Sequence, residues 1–439
     1  MEKNNVRTVA LKLLDEYEAA GKYVNLSLSS HLTNGMSRDE RAFLTVLFYT
    51  SVEHKLTYDY MISALAGRSI GDIDLHTKNI LRLGLCQILH TSVADHAAVN
   101  ETVKLCRNKG ERGFVNALLR EAVRAKDENR LPMPDRKKSE ARYLSVYHSF
   151  PLPVVKLFIE LLGEEECDKL LSVFNSVGYT DLTVNTRRIS RAELQSRFAE
   201  DGIDSVASTR STLSLRVEGS VDPRSLYGFS EGLFFVQDEI CSASVEVLGV
   251  SRGEVVIDVC ASPGGKSFAA AVLLEEGTVY SFDLHQGRVS LIKEGAQRLG
   301  LDCVRPSVRD AMSCDESLVG KADRVICDVP CSGLGVLGKK PDLRYKDRDS
   351  YSDLPAIQYS ILESASQYLR IGGTMVYSTC TLDPKENGDV VSRFLAEHPQ
   401  FSAVDFSVGD ERSFDGCFTA YPHRHNCDGF FIAKLMRNY

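Results

Sequence analysis

The chain has 439 residues, of which 43% are apolar and 26% charged, and its net charge is −8. That length predicts two or three domains, and the composition is that of soluble globular proteins. The acidity argues against a protein that coats nucleic acid non-specifically, and no apolar run approaches the roughly 20 residues that cross a bilayer.

Residues 1–128 read as helix throughout. Val6, Val9, Ala10, Leu13 and Tyr17 share one helical face, and Ser37 with Glu40 forms a capping box ahead of Phe43 and Leu47. Leu81, Leu85, Ile88 and Leu89, then Val115, Leu118, Leu119 and Ala122, predict two later helices. An all-α domain is expected here. Glu128 to Lys138, ENRLPMPDRKK, reads as a linker.

Residues 129–225 are expected to hold this linker and a small α/β domain. A helix is predicted around Leu157–Leu162, strands at Leu182–Thr186 and Leu213–Val217, and a second capping box at Ser190 and Glu193. From 226 to 439 strands and helices alternate, which predicts a Rossmann-like α/β domain with a doubly wound, mostly parallel sheet. Strands are expected at 255–260, 278–284, 303–308, 323–329, 374–380 and 430–435. Helices are expected at 265–276, 286–299, 354–370 and 386–398.

Cys260-Ala261-Ser262-Pro263-Gly264-Gly265-Lys266 joins a predicted strand to a helix. Its glycines allow close backbone approach, and the helix N-terminus favours an anion. Asp283, Asp310 and Asp328 end the next three strands. Asp283 lies 18 residues past Gly265, where an acid is expected to hold ribose hydroxyls. A Walker A motif would need G-x-x-x-x-G-K-[ST]. Gly265-Lys266-Ser267 fits its tail, but Cys260 stands in place of the first glycine. The pattern therefore favours S-adenosylmethionine over a nucleoside triphosphate.

Cys331 closes VICDVPC and Cys380 closes TMVYSTC, each ending a predicted buried strand. Ligands of open α/β sheets bind at the carboxyl ends of strands. Two thiols there, with the Asp328 carboxylate, are the groups that cytosine C5 methylation needs. A thiolate adds to C6, C5 becomes nucleophilic, a base removes the C5 proton, and the thiol leaves. Other cysteines, among them Cys86, Cys106, Cys260 and Cys327, sit in apolar runs where free Cys behaves as a small hydrophobe. There is no C-x-x-C, so no metal is expected. The N-terminus lacks the features of a secretory signal, which points to a cytoplasmic protein. Of two basic runs, Arg136, Lys137, Lys138 and Arg142 read as a solvated face. Lys339, Lys340, Arg344, Lys346 and Arg348, which begin eight residues after Cys331, could equally contact RNA phosphates.

CASPGGK, DVPCSG, YSTCTL and DGFFIAKL resemble the RNA cytosine-5 methyltransferases of the NOL1/NOP2/Sun type, and AAVNETV and FVNALLR resemble NusB. The combination resembles the RsmB (Fmu/Sun) family of bacterial small-subunit ribosomal RNA methyltransferases. GFSEGLFFVQDEICS, Gly228 to Ser242, resembles the family's lead-in to the catalytic domain. The resemblance implies a NusB-like RNA-binding domain at 1–128 and an RNA-binding domain within 129–225. It implies methylation of 16S ribosomal RNA, free or in a partly assembled subunit, at cytosine 967, by a monomer away from membranes. It also implies that Cys260 to Lys266 contact the methionine part of S-adenosylmethionine, Asp283 the ribose and Asp310 the adenine region. Asp328 would serve cofactor and base, Cys380 would be the nucleophile, and Cys331 would assist proton removal or product release. Ser262 and Val329 stand where the family usually has Ala, Thr183-Val-Asn-Thr186 lacks an expected Arg, and the chain has no Trp. Two rival readings are a DNA-type cytosine methyltransferase, with Cys331 as nucleophile, and a non-catalytic RNA-binding scaffold. Cys380 counts against the first, and the intact acids and thiols against the second.

Overall fold

The computed structural model describes residues 5–20, 36–176, 178–219, 221–346 and 351–439. Two compact units emerge: Met1–Asn175 with Lys340–Lys346, and Ser176–Lys339 with Asp347–Tyr439.

The first unit is helical: α1 (Val6–Ala20), α2 (Arg38–Glu53), α3 (Lys55–Ala66), α4 (Leu75–His90), α5 (Asp95–Val103), α6 (Lys109–Asp127), α7 (Glu140–Tyr147), α8 (Leu152–Leu162) and α9 (Glu164–Phe174). The Ser37–Glu40 capping box starts α2 as expected. α4 is buried on nearly every side and forms the centre about which α1, α2, α3, α5 and α6 pack. His54 and His90 stack inside this unit with ring centroids 4.0 Å apart.

The helical unit runs past the linker at 128–138, where the sequence suggests a boundary. The reason is packing: α7 contacts α3, and the Thr57 hydroxyl donates to the Val146 carbonyl at 2.6 Å. The unit also takes in Lys340–Lys346 from much later in the chain. Arg344 is fully buried there. Its guanidinium donates to Asn175 Oδ1 at 2.8 Å and to the Phe174 carbonyl at 3.2 Å, and lies 4.1 Å from the Phe150 ring centre. The Tyr345 hydroxyl donates to the Glu53 carbonyl at 3.0 Å.

The second unit holds two main sheets. The smaller has the order β2-β3-β1-β4, with β1 (Thr180–Val184), β2 (Ser205–Ala207), β3 (Ser214–Val217), β4 (Phe234–Val236) and α10 (Arg191–Glu200) between β1 and β2. The larger follows α11 (Glu239–Leu248) and comprises β5 (Val255–Asp258), β6 (Thr278–Asp283), β7 (Val304–Val308), β8 (Ala322–Asp328), β9 (Leu369–Thr379), β10 (Phe401–Ala403), β13 (Cys417–Ala420) and β14 (Phe430–Arg437). A short hairpin, β11 (Ser407–Val408) with β12 (Glu411–Arg412), stands apart from it. The order is β10-β14-β9-β8-β5-β6-β7, with β13 on β14. β7-β6-β5-β8-β9 run parallel, and β14 is antiparallel to β9.

The helices of this sheet are α12 (Gly265–Leu274), α13 (Gln286–Leu299), α14 (Leu354–Ser366) and α15 (Gly388–Glu397). Alternate strand residues enter two different cores. Val256, Ile326 and Val376 join the core that contains α12 and α13. Ile257, Val325, Cys327, Met375 and Tyr377 join the core that contains α14 and α15. A sheet covered on both faces explains the near-continuous apolar runs of β5, β8 and β9. The chain proceeds from β5 outward through β6 and β7, then returns to β8 and β9 on the other side. The switch point therefore lies between β5 and β8, with the glycine loop on one side and the Pro-Cys turn on the other.

Candidate active site

The glycine loop follows β5. Asp258, the last residue of that strand, is fully buried, and its Oδ2 accepts from the Ser267 hydroxyl at 2.7 Å. Burial pushes this carboxyl up to about 7. Asp258 was legible only as part of the motif VVIDVCASPGGKS, and its function here is to hold the first turn of α12 against the strand. Gly264 has φ +116°, and a Cβ there would meet the Phe268 ring at 2.3 Å. Only glycine fits, and the loop backbone stays open to a ligand.

Asp283 ends β6 and is 6% exposed; one of its oxygens accepts from His285 N at 3.0 Å. Asp310 follows β7, is exposed, and accepts from Met312 N at 2.9 Å. Leu284 and Met312, beside these acids, are 55% and 50% exposed. Glycine backbone, an acid at the next strand end and two uncovered apolar side chains thus lie along one edge of the sheet.

Asp328 ends β8. Its Oδ2 accepts from Lys266 Nζ at 2.7 Å, and its Oδ1 from the Ser378 hydroxyl at 2.7 Å. Burial opposes the charge on Lys266; Asp328, Cys241 and Asp258 together outweigh it and hold the ammonium above its ordinary value. Lys266 also sits 4.9 Å from the Phe430 ring centre.

Cys331 and Cys380 extend from the adjacent parallel strands β8 and β9, with their sulfurs 3.1 Å apart. Both are partly exposed. The hydrogen bond to Cys380 and then burial keep the Cys331 thiol well above its usual range, with Glu386 adding to both. Gly335 N donates to the Cys380 carbonyl at 2.9 Å, and Gly429 N to the Gly335 carbonyl at 2.8 Å. A Cβ on Gly335 would lie 2.0 Å from the Gly429 carbonyl oxygen, so the turn after Cys331 can close on DGFF only through glycine. Cys260 and Cys327 are pushed well up by burial, as expected of structural thiols.

The second basic run does not form one phosphate-facing surface. Lys339 is held by Asp238 at 2.7 Å and Asp428 at 3.0 Å, and lies 5.1 Å from the Tyr179 ring centre. Arg344 is buried among carbonyls of the helical unit. Lys340 and Lys346 are exposed, and Arg348 lies outside the described residues. Burial makes an unpaired charge costly, so Arg344 takes its partners inside the fold, while the more exposed Lys339 reaches the buried Asp238. Two acids the sequence reading passed over, Asp238 and Asp428, supply one of those pairings. The first basic run is exposed throughout, with Arg136 paired to Glu140. Among the described residues, no group of three or more His, Cys, Asp or Glu could hold a metal ion, and no helix is long and apolar enough to cross a membrane.

Residues 245–436 match the family described as 16S rRNA methyltransferase RsmB/F, and residues 4–124 match the NusB family. The fold and these matches define an S-adenosylmethionine-dependent ribosomal RNA methyltransferase. The chain is 34% identical over 453 residues to the probable ribosomal RNA small subunit methyltransferase B of Bacillus subtilis (strain 168), covering 100% of both. It is 33% identical over 454 residues to that of Synechocystis sp., covering 99% of both. The crystal structure of PH0851 shares the fold over 99% of each chain, with a TM-score of 0.80 at 24% identity. NSun6 from Pyrococcus horikoshii, solved with SFG, shares it over 66% of this chain and 99% of its own, with a TM-score of 0.60 at 23% identity. The chain belongs to the ribosomal RNA small subunit methyltransferase B family.

Proposed function

We propose that this protein methylates carbon 5 of one cytosine in 16S ribosomal RNA through a covalent bond between Cys380 and C6. The observation that carries this reading is the pair of thiols 3.1 Å apart at neighbouring strand ends, beside an Asp328 already tied to the glycine loop. Cys260 to Lys266, Asp283 and Asp310 hold S-adenosylmethionine, which when bound supplies an electrophilic methyl group.

Cys380, as thiolate, bonds to C6, and the electrons of the C5–C6 double bond shift into the ring. The Asp328–Lys266 pair offers a proton toward N3 and balances that charge. C5 then carries the added nucleophilicity. After methylation the C5 proton must leave before the S–C6 bond can break. Cys331, within hydrogen-bonding distance of Cys380, gives its proton to the departing sulfur and takes the C5 proton in exchange; the C5–H electrons restore the C5–C6 double bond as the S–C6 bond breaks, and the N3 proton returns to the Asp328–Lys266 pair.

The helical unit and the small β2-β3-β1-β4 sheet are assigned to RNA binding, on 16S RNA free or in a partly assembled subunit. The test is bisulfite sequencing of ribosomal RNA from a strain lacking the gene. One small-subunit cytosine should become fully convertible and regain protection when the gene is restored. An unchanged pattern removes the proposal.

A further inference from the structure

Glu386 takes no part in the mechanism above. It lies on the short turn Pro384–Glu386, between β9 and α15, and is 3% exposed. Its carboxylate accepts from Ser332 N at 2.9 Å, from the Ser332 hydroxyl, from Gln358 Nε2 at 2.8 Å and from Thr381 Oγ1 at 3.3 Å. Ser332 directly follows Cys331, and Thr381 directly follows Cys380. The two hydroxyls also meet each other at 2.8 Å.

One buried carboxylate thus clamps the turns that carry both thiols. These four donors are neutral, and between them they satisfy both carboxylate oxygens. An amide could satisfy much of the same geometry without a charge. The charge of Glu386 sits one residue from Cys331, through the bond from Ser332 N, and adds to the rise of that thiol.

We propose that Glu386 is a positioning residue for the methyl transfer, fixing the Cys331 and Cys380 turns so that both thiols work on one base. This rests on the cytosine reading above. The clamp sets the distance between the sulfurs. Its negative charge keeps the Cys331 proton in place until elimination needs it.

Phenylarsine oxide, which must bridge two neighbouring thiols, reads the clamp without any methylation. Glu386→Ala should bind it at least about tenfold more weakly than wild type, as expected for losing hydrogen bonds to a charged group. The same variant should show a kcat on 16S RNA lowered by about tenfold or more, with KM for RNA within about twofold. Glu386→Gln should retain most of the arsenical affinity, yet shift the pH profile of Cys331 alkylation to lower pH. Wild-type arsenical affinity and kcat in a folded Glu386→Ala protein overturn the proposal. An unshifted alkylation profile in Glu386→Gln overturns the role of the charge. If Glu386→Ala does not fold, Ser332→Ala with Thr381→Val removes two of the donors, and unaltered arsenical binding then decides against the clamp. Normal methylation by Cys380→Ser would instead remove the cytosine reading and leave the arsenical measurement to judge Glu386 alone.

Discussion

Lys266 reaches from the first turn of α12 to Asp328 at the end of β8, with Nζ 2.7 Å from Oδ2. One ion pair thereby joins the glycine loop to the strand end that leads into Cys331. Lys266→Met should lower kcat/KM about tenfold or more, since a charge-assisted hydrogen bond contributes about 1.5–3 kcal/mol. Lys266→Arg should recover part of the loss. Steady-state kinetics with 16S RNA check both, and a fully active Lys266→Met would show that the pair does not serve the reaction.

The two thiols should fail in different halves of the reaction. Cys380→Ala should form no protein–RNA adduct and transfer no methyl group. Cys331→Ala should add to the base and transfer the methyl, then release product slowly, leaving an RNA-linked species on denaturing gels. Either sulfur could reach the same base, so the reverse pattern would make Cys331 the nucleophile and revive the DNA-type mechanism.

Asp283→Ala should weaken S-adenosylmethionine binding about tenfold or more while leaving the fold intact, because a hydrogen bond to a carboxylate is lost. Titration calorimetry on the folded variant measures this, and an unchanged Kd would remove the ribose assignment.

Acid should destabilise the helical unit. Burial first, then His90, Arg344 and His148, push His54 down to about 3, and burial lowers His90 as well. Unfolded histidine takes up a proton near pH 6.5, whereas folded His54 does so only near its depressed value. The unfolded state therefore binds more protons across that window. Stability is fully present above about pH 6.5 and falls toward pH 3, by up to about 1.4 kcal/mol per pH unit for each such histidine. Urea unfolding at pH 7.5 and 5.5 should show the loss, and His54→Phe, which keeps an aromatic ring in the stack, should reduce it. Equal slopes in the two proteins would exclude His54 as a source.

The sheet and its loops were legible because local and global signals agree. Buried parallel strands demand apolar runs, and each functional loop begins where a run stops, at Asp258, Asp283, Val308 and Asp328. The partners of buried charge were not legible. Lys339 pairs with Asp238 and Asp428, 101 and 89 positions away, and no local period marks such a pair. Glu386 was hidden for the same reason: its partners Ser332 and Gln358 are distant in sequence, and only the fold brings them together. Arg344 read as surface charge because its neighbours in the chain are basic, while its acceptors are carbonyls, which composition does not reveal.

The capture of Lys340–Lys346 by the helical unit has a consequence for synthesis. The ribosome completes α1 through α9 early, yet the Arg344 side chain that fills the gap beside Phe150 and Asn175 is made only after β5 through β8. Chains lengthen at about 5–20 residues per second, so the helices wait roughly 10–30 seconds for their last piece. During that interval the acceptors at Glu53, Phe174 and Asn175 lack the Arg344 donor. Shortened chains that stop before Pro341 would lack Arg344, and deletion of residues 164–175 would strip Arg344 of its acceptors at Phe174 and Asn175. The helical unit thus takes its last piece from sequence made after most of the second unit, although most of each unit is continuous in sequence.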